Sequence, residues 1–204
     1  SGVALISVDD HAENSIVVAS GANMLLNEQD VDKVVEEMCE GDILLMQLEI
    51  PIQTVEYAAR RAFEKGVKVV LNPAPARSLP KELLRHLFMI TPNRIEAEML
   101  TGIKIVNDAD AERVAKEISA MGVQNIIVTL GSKGCLVREG DTSYCVDAFK
   151  VEPVDTTAAG DTFNGALCVG LAEGMNLRQA AVMASKASSV AVTRMGAQSS
   201  ICLL

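Results

Sequence analysis

The apolar positions of this chain follow two different patterns. Val3-Ala4-Leu5-Ile6-Ser7-Val8 and Ser15-Ile16-Val17-Val18-Ala19 flank a polar stretch over residues 9–14, which predicts a β-hairpin. Two strands alone are marginal in water and need a packing partner. From about residue 27 the pattern changes to strands alternating with helices. Residues 43–48, 67–71 and 125–130 are apolar runs of the kind expected for strands buried on both faces, and Phe88-Met89-Ile90 is a shorter strand. Asn27 can cap a helix running to about residue 39, before Gly41. Pro51 fits the first turn of a helix that ends before Gly66, and further helices are predicted near residues 81–87, 94–100 and 109–121. Residues 134–138 and 142–146 flank Glu139-Gly140-Asp141 and predict an antiparallel hairpin. Two helices rich in small residues, 160–173 and 177–193, end the pattern. This alternation implies an α/β fold with a Rossmann-like, mostly parallel sheet and helices on both faces. Residues 1–22 are expected to form a separate hairpin unit and residues 23–204 the α/β domain.

Composition narrows the classes. With 204 residues, 49% of them hydrophobic, 3% aromatic and no Trp, the core must be built from Val, Ile, Leu, Ala and Met. A mean hydropathy of +0.24 is incompatible with a disordered chain. A net charge of −9 argues against a nucleic-acid or membrane-surface binder, both of which need a positive field. A small phosphate ligand needs only a few local donors and stays open. The five cysteines lack zinc-site spacing and are odd in number, as expected of reduced thiols in a cytoplasmic protein. His11 and His86 are the only histidines, which argues against a histidine-based metal site or triad. No stretch reaches the ~18 apolar residues of a membrane span. The chain enters its first strand pattern directly, without Met or a signal peptide, and further sequence is expected upstream.

In sheets of this type ligands bind beyond the carboxyl ends of the strands. Those ends carry Gln47-Leu48-Glu49, Asn72-Pro73-Ala74-Pro75-Ala76, Thr91-Pro92-Asn93-Arg94-Ile95-Glu96 and Thr129-Leu130-Gly131-Ser132-Lys133-Gly134. Each has an ordinary explanation. Glu49 can be an N-cap neighbour, Asn93 and Glu96 a capping box, and Gly131-Ser132-Lys133-Gly134 a plain turn. The last can equally cradle a phosphate between backbone N–H groups and a lysine. The strongest segment is Asp155-Thr156-Thr157-Ala158-Ala159-Gly160-Asp161-Thr162-Phe163, in which small residues lead into a helix N-terminus, a ready anion site. Asp161 in the first turn can merely complement the helix dipole, or it can accept a proton from a hydroxyl while the helix end holds a phosphoryl group. There is no Walker A loop and no Gly-x-Gly-x-x-Gly after a strand, which argues against a dinucleotide dehydrogenase.

With these segments in this order, and with Thr193-Arg194-Met195-Gly196-Ala197-Gln198 behind them, the chain resembles the ribokinase-like (PfkB-type) carbohydrate kinases along nearly its whole length. The resemblance implies ATP-dependent phosphorylation of a sugar's primary hydroxyl, D-ribose to D-ribose 5-phosphate, with Asp161 as the base. Another sugar or nucleoside kinase of the family, or a nucleotide-binding module without catalysis, are the alternatives. It further implies an anion hole at Ala158, Ala159 and Gly160, and a nucleotide site at Asn93, Thr129, Leu130, Gly131, Ser132, Lys133, Gly134, Gly160 and Ser185. Glu49 and Asp161 fall at sugar-contacting positions. Glu96 pairs with Asn93 in the Asn-x-x-Glu pattern that organises Mg²⁺ indirectly. Asp155, Thr157, Ala191, Arg194, Gly196 and Ser200 fall at a monovalent-cation site for K⁺, largely through backbone carbonyls. Ala158 stands where many relatives have Gly, and the tail Ile201-Cys202-Leu203-Leu204 is short and apolar for the family. Relatives carry roughly a hundred further residues in front, including a sugar-binding aspartate and a Gly-rich segment. The hairpin corresponds to part of the family's sugar-covering lid, and pairing into a homodimer through it is expected of the longer protein. The 204 residues alone are expected to be inactive.

Overall fold

In the computed structural model, residues 2–8 and 14–201 are described. They group into two compact units: residues 21–130 with 135–145, and residues 1–20 with 131–134 and 146–204.

In the second of these, β1 (Val3–Val8) pairs antiparallel with β2 (Asn14–Ala19), with Val3 opposite Ala19 and Ser7 opposite Ser15. The expected hairpin is therefore present, while its turn at residues 9–13 lies outside the described residues. Val3, Leu5, Ile6, Ile16, Val17 and Val18 are all exposed, so the two strands expose apolar side chains from both faces.

The other unit holds α1 (Glu28–Glu37), β3 (Ile43–Met46), α2 (Ile52–Glu64), β4 (Lys68–Leu71), α3 (Lys81–Arg85), β5 (Met89–Ile90), α4 (Arg94–Thr101), α5 (Asp108–Ala120), β6 (Asn125–Thr129), β7 (Cys135–Glu139) and β8 (Thr142–Val146). The strands form one sheet in the order β3-β4-β5-β6-β7-β8. The first four run parallel, with Leu44 beside Val69, Val70 beside Met89 and Ile90 beside Ile126, and β7 returns antiparallel to β6. Parallel neighbours require helical crossovers, which α2 to α5 supply.

The period of two within strands decides what packs where. Val69, Leu71, Ile90, Ile126, Val128 and Leu136 share one core cluster with Val31 and Val35 of α1, Ala97 of α4, and the buried residues of α2, α3 and α5. On α2 those are Val55, Ala58, Ala59 and Ala62, an i, i+3, i+4, i+7 stripe. Val70, Met89, Ile127 and Val137 face the other way and are fully buried as well, which explains why these strands read as unbroken apolar runs. Cap chemistry sets the helix starts. Asn27 accepts from the Gln29 N–H at 3.0 Å, and Asn93 and Glu96 form a reciprocal capping box. The first strand is shorter than expected. The Leu48 N–H leaves the ladder and donates to the Ala74 carbonyl at 2.8 Å.

The hairpin unit also contains α6 (Ala159–Ala172) and α7 (Leu177–Ala191), which pack on one another. Their small residues are the means. A Cβ on Gly170 would sit 3.3 Å from the Ala180 Cα, and Ala166, Ala180, Ala181, Ala184 and Ala187 are buried. Among the described residues no helix is long and apolar enough to cross a membrane.

Candidate active site

Each unit places its own share of the expected residues. In the sheet unit, β5 runs through Thr91 and Pro92 into Asn93. A parallel bridge joins Asn93 to Thr129 at the end of β6, with the Thr129 N–H donating to the Pro92 carbonyl at 2.9 Å. The sheet thus brings Asn93, Glu96 and Thr129 together at one strand edge. Glu96 is buried and uses both carboxylate oxygens on Asn93, accepting from its N–H at 2.8 Å and from its Nδ2 at 2.7 Å. Burial pushes the Glu96 carboxyl above its usual range, partly offset by the Asn93 N–H. Asn93 itself is exposed. Glu49 is exposed in the bend after β3, and no described hydrogen bond joins it to Asn93, Glu96 or Thr129.

In the hairpin unit, Gly131–Lys133 form a single 3₁₀ turn with Ser132 and Lys133 exposed. Short helical turns of this kind carry no periodic signal, so the sequence predicts a plain turn or a phosphate cradle here and no helical element. Asp155 is buried and ties two chain segments together. Its Oδ1 accepts from the Thr157 N–H at 2.8 Å and its Oδ2 from the Gly196 N–H at 2.9 Å. Hydrogen bonding by Thr157, then by Gly196, holds the Asp155 carboxyl below its usual range. The carbonyl of Val192, just past α7, accepts from the N–H groups of Val154 and Asp155, which brings Ala191 and the segment from Arg194 to Gly196 beside Asp155. Ser200 is buried, and its hydroxyl donates to the Ala197 carbonyl at 2.7 Å.

Asp155→Ala is therefore expected to leave two backbone N–H groups without their acceptor and to destabilise the protein by about 2–3 kcal/mol. The depressed carboxyl contributes stability above its unfolded value, near pH 4, and that contribution is lost as pH falls through the folded value. The wild-type advantage over Asp155→Ala in urea melts should accordingly be full at pH 7 and shrink on acidification below pH 4.

The turn before α6 follows Asp155 directly in the chain. Ala158 is the N-cap at φ 59° and ψ 10°, and it offers no side-chain cap. The first-turn amides therefore keep whatever partner the backbone gives them. The Ala159 N–H donates to the Thr156 carbonyl at 3.2 Å, while among the described residues no backbone carbonyl outside α6 accepts from the Gly160 N–H. Asp161 follows in the first turn, exposed like Gly160. An exposed carboxylate beside an open amide at the positive end of a 14-residue helix can handle a proton and an anion at one point. Ser185 lies buried on α7. One turn on, Ser188 donates to the Ala159 carbonyl at 3.0 Å, a tether that the sequence reading missed.

The donor set fits the two ions differently. Among the described residues no group of three His, Cys, Asp or Glu could cage a metal, and both Glu96 oxygens are already engaged. These residues fit Mg²⁺ only through water or ligand phosphates. Both Asp155 oxygens already accept backbone N–H bonds, so there the backbone carbonyls and the Ser200 hydroxyl are the oxygen donors of the type that suits a hard monovalent cation.

Residues 1–202 match the family described as pfkB family carbohydrate kinase. The chain is 45% identical over 201 residues to the ribokinase of Haemophilus influenzae, covering 98% of this chain and 66% of that protein. It superposes on the crystal structure of a Thermotoga maritima ribokinase with a TM-score of 0.86 at 39% identity, covering 99% of this chain and 66% of that one. The structure of an Arabidopsis thaliana ribokinase complexed with ribose and ATP gives 0.86 at 29% identity, covering 98% and 65%. The chain thus spans about two thirds of the length of these relatives.

Proposed function

The chain belongs to the pfkB family of carbohydrate kinases, and from that premise we propose that the protein carrying it transfers the γ-phosphoryl group of ATP to the primary hydroxyl of D-ribose, giving D-ribose 5-phosphate and ADP. The observation that carries this reading is the start of α6, where the open Gly160 amide and the exposed Asp161 carboxylate adjoin. Asp161 takes the proton of the sugar hydroxyl as its oxygen bonds to the γ-phosphorus. The bond to the β–γ bridging oxygen breaks, and ADP leaves with that electron pair. The turn Ala158-Ala159-Gly160 meets the charge that develops on the transferring group, with the Gly160 amide as its available donor. Asn93, residues 129–134 and Ser185 hold the nucleotide, with Lys133 facing its phosphates, and Glu49 contacts the sugar. Mg²⁺ would be held with the ATP phosphates, organised indirectly by Asn93 and Glu96, and would neutralise phosphate charge. Asp155, Thr157, Ala191, Arg194, Gly196 and Ser200 would hold K⁺, largely through backbone carbonyls, and the bound cation would stiffen the turn before Ala158. The exposed apolar hairpin is a dimer contact, and the free-thiol composition supports a cytoplasmic setting.

The test is phosphate transfer from ATP by the full-length protein that carries this chain across ribose, deoxyribose, fructose and adenosine. We expect ribose to give the highest kcat/KM. Faster turnover of another acceptor would move the assignment within the family. ATP binding by calorimetry with no transfer to any acceptor would reduce the protein to a nucleotide-binding module.

A further inference from the structure

At a helix N-terminus the groups that lack partners are N–H groups, whereas the first carbonyls already accept from the ladder. The start of α6 nevertheless gives three successive carbonyls an additional donor. Thr162 Oγ1 donates to the Ala158 carbonyl at 2.9 Å, Ser188 Oγ to that of Ala159 at 3.0 Å, and Asn164 Nδ2 to that of Gly160 at 2.9 Å. The Ala158 carbonyl also accepts from the Thr162 N–H at 2.9 Å, so its side-chain bond satisfies no orphan. Thr162 and Asn164 are buried and reach back one turn on the same helix, and Ser188 reaches across from α7. Each of these carbonyls belongs to the peptide unit that carries the next residue's N–H. The three units are therefore those of the Ala159, Gly160 and Asp161 amides. Hydrogen bonding to a carbonyl strengthens the N–H at the other end of the same amide. The same bonds fix a turn that resists its own geometry. Ala158 is the one non-glycine residue with positive φ among the described residues, and a left-handed L-residue costs about 1–2 kcal/mol.

We infer that Thr162, Asn164 and Ser188 are positioning residues for the anion hole: together they hold its left-handed turn, and Ser188 raises the donor strength of the Gly160 amide. Ser188 is the decisive member, because it acts from a second helix and the ladder of α6 does not need it. The inference rests on the reading of residues 158–161 as the phosphoryl-holding turn.

The experiment compares Ser188→Ala, Ser188→Cys and Ser188→Thr in the full-length protein that carries this chain by amide NMR and by ribose kinase kinetics, with melting temperature as the control for folding. In Ser188→Ala the Gly160 amide proton should move upfield more than any other in α6, and kcat should fall about tenfold, since a donor is weakened but kept. KM for ATP should stay within about twofold, because the effect acts on charge that develops only in the transition state. Ser188→Cys should lie between, and Ser188→Thr should restore both readouts. An unmoved Gly160 amide in Ser188→Ala overturns the inference whatever the activity, and so does an unchanged kcat. A rise in KM that matches the fall in kcat/KM would show lost ground-state binding and overturn it too. Turnover that survives Asp161→Asn is a separate outcome, which removes the underlying reading of the turn.

Discussion

Asp161→Asn is expected to lower kcat for ribose phosphorylation by about 10³-fold, within the range for removal of a general base, with ATP affinity by calorimetry nearly unchanged. The side chain is exposed in the first turn of α6. Its structural share is the helix-dipole term, about 0.3–1 kcal/mol, so the variant keeps its fold. Asparagine keeps the shape and still accepts a hydrogen bond, but its carbonyl oxygen is a far weaker base than a carboxylate. The nucleotide-binding residues assigned here lie elsewhere except for the Gly160 amide, which the substitution leaves in place. Loss of turnover without loss of ATP binding is therefore the signature of a base. Near-normal kcat would mean that Asp161 only complements the dipole. A parallel loss of ATP affinity would mean that it supports the turn and not the chemistry.

The same turn shows which parts of the site could be seen in the sequence. Small residues leading to Asp161 announce a helix N-terminus, because they lack bulky apolar side chains and leave the first-turn amides accessible. Asn93 with Glu96 three residues on announces a cap, and the structure forms it with both reciprocal bonds. The apolar runs identify buried strands, since faces that are both dry leave no polar alternation. What stays hidden is long-range. Ser188 reads as one more small residue in a small-residue helix, and its bond to Ala159 spans 29 positions. Asp155 suggests a site residue by resemblance, but its bridge to the Gly196 N–H spans 41 positions and depends on how α7 returns. The early end of β3 at Met46 has the same cause. Leu48 is apolar and buried, but its amide finds its acceptor at Ala74. Local pattern reports propensity and burial, whereas the choice among competing hydrogen-bond partners is made by tertiary geometry.

Gly134→Ala should be the most damaging single-methyl addition in the hairpin unit, costing about 3–5 kcal/mol in urea unfolding from the sum of steric overlap and left-handed strain. Gly134 is buried at φ +87°, where an L-residue is strained whatever space surrounds it. Here the space is also occupied. An added Cβ would lie 2.7 Å from the Ala148 nitrogen and 2.8 Å from the Asp147 carbonyl carbon, and the Val146 carbonyl oxygen is closer still. These are backbone atoms, which cannot swing aside as a side chain can. The Gly134 N–H also closes the 3₁₀ turn by donating to the Gly131 carbonyl at 3.0 Å, so relief by moving residue 134 would open the turn that presents Lys133. Gly131→Ala is the internal control. Its φ of +59° imposes left-handed strain alone, with nothing within 4 Å of the added carbon. The difference between the two variants isolates the steric part, and equal destabilisation would refute the close backbone approach at Gly134. The nucleotide reading adds a second separation. In Gly131→Ala, which should stay folded, any change in ATP affinity reports on the loop itself, whereas in Gly134→Ala it should track the loss of folded protein.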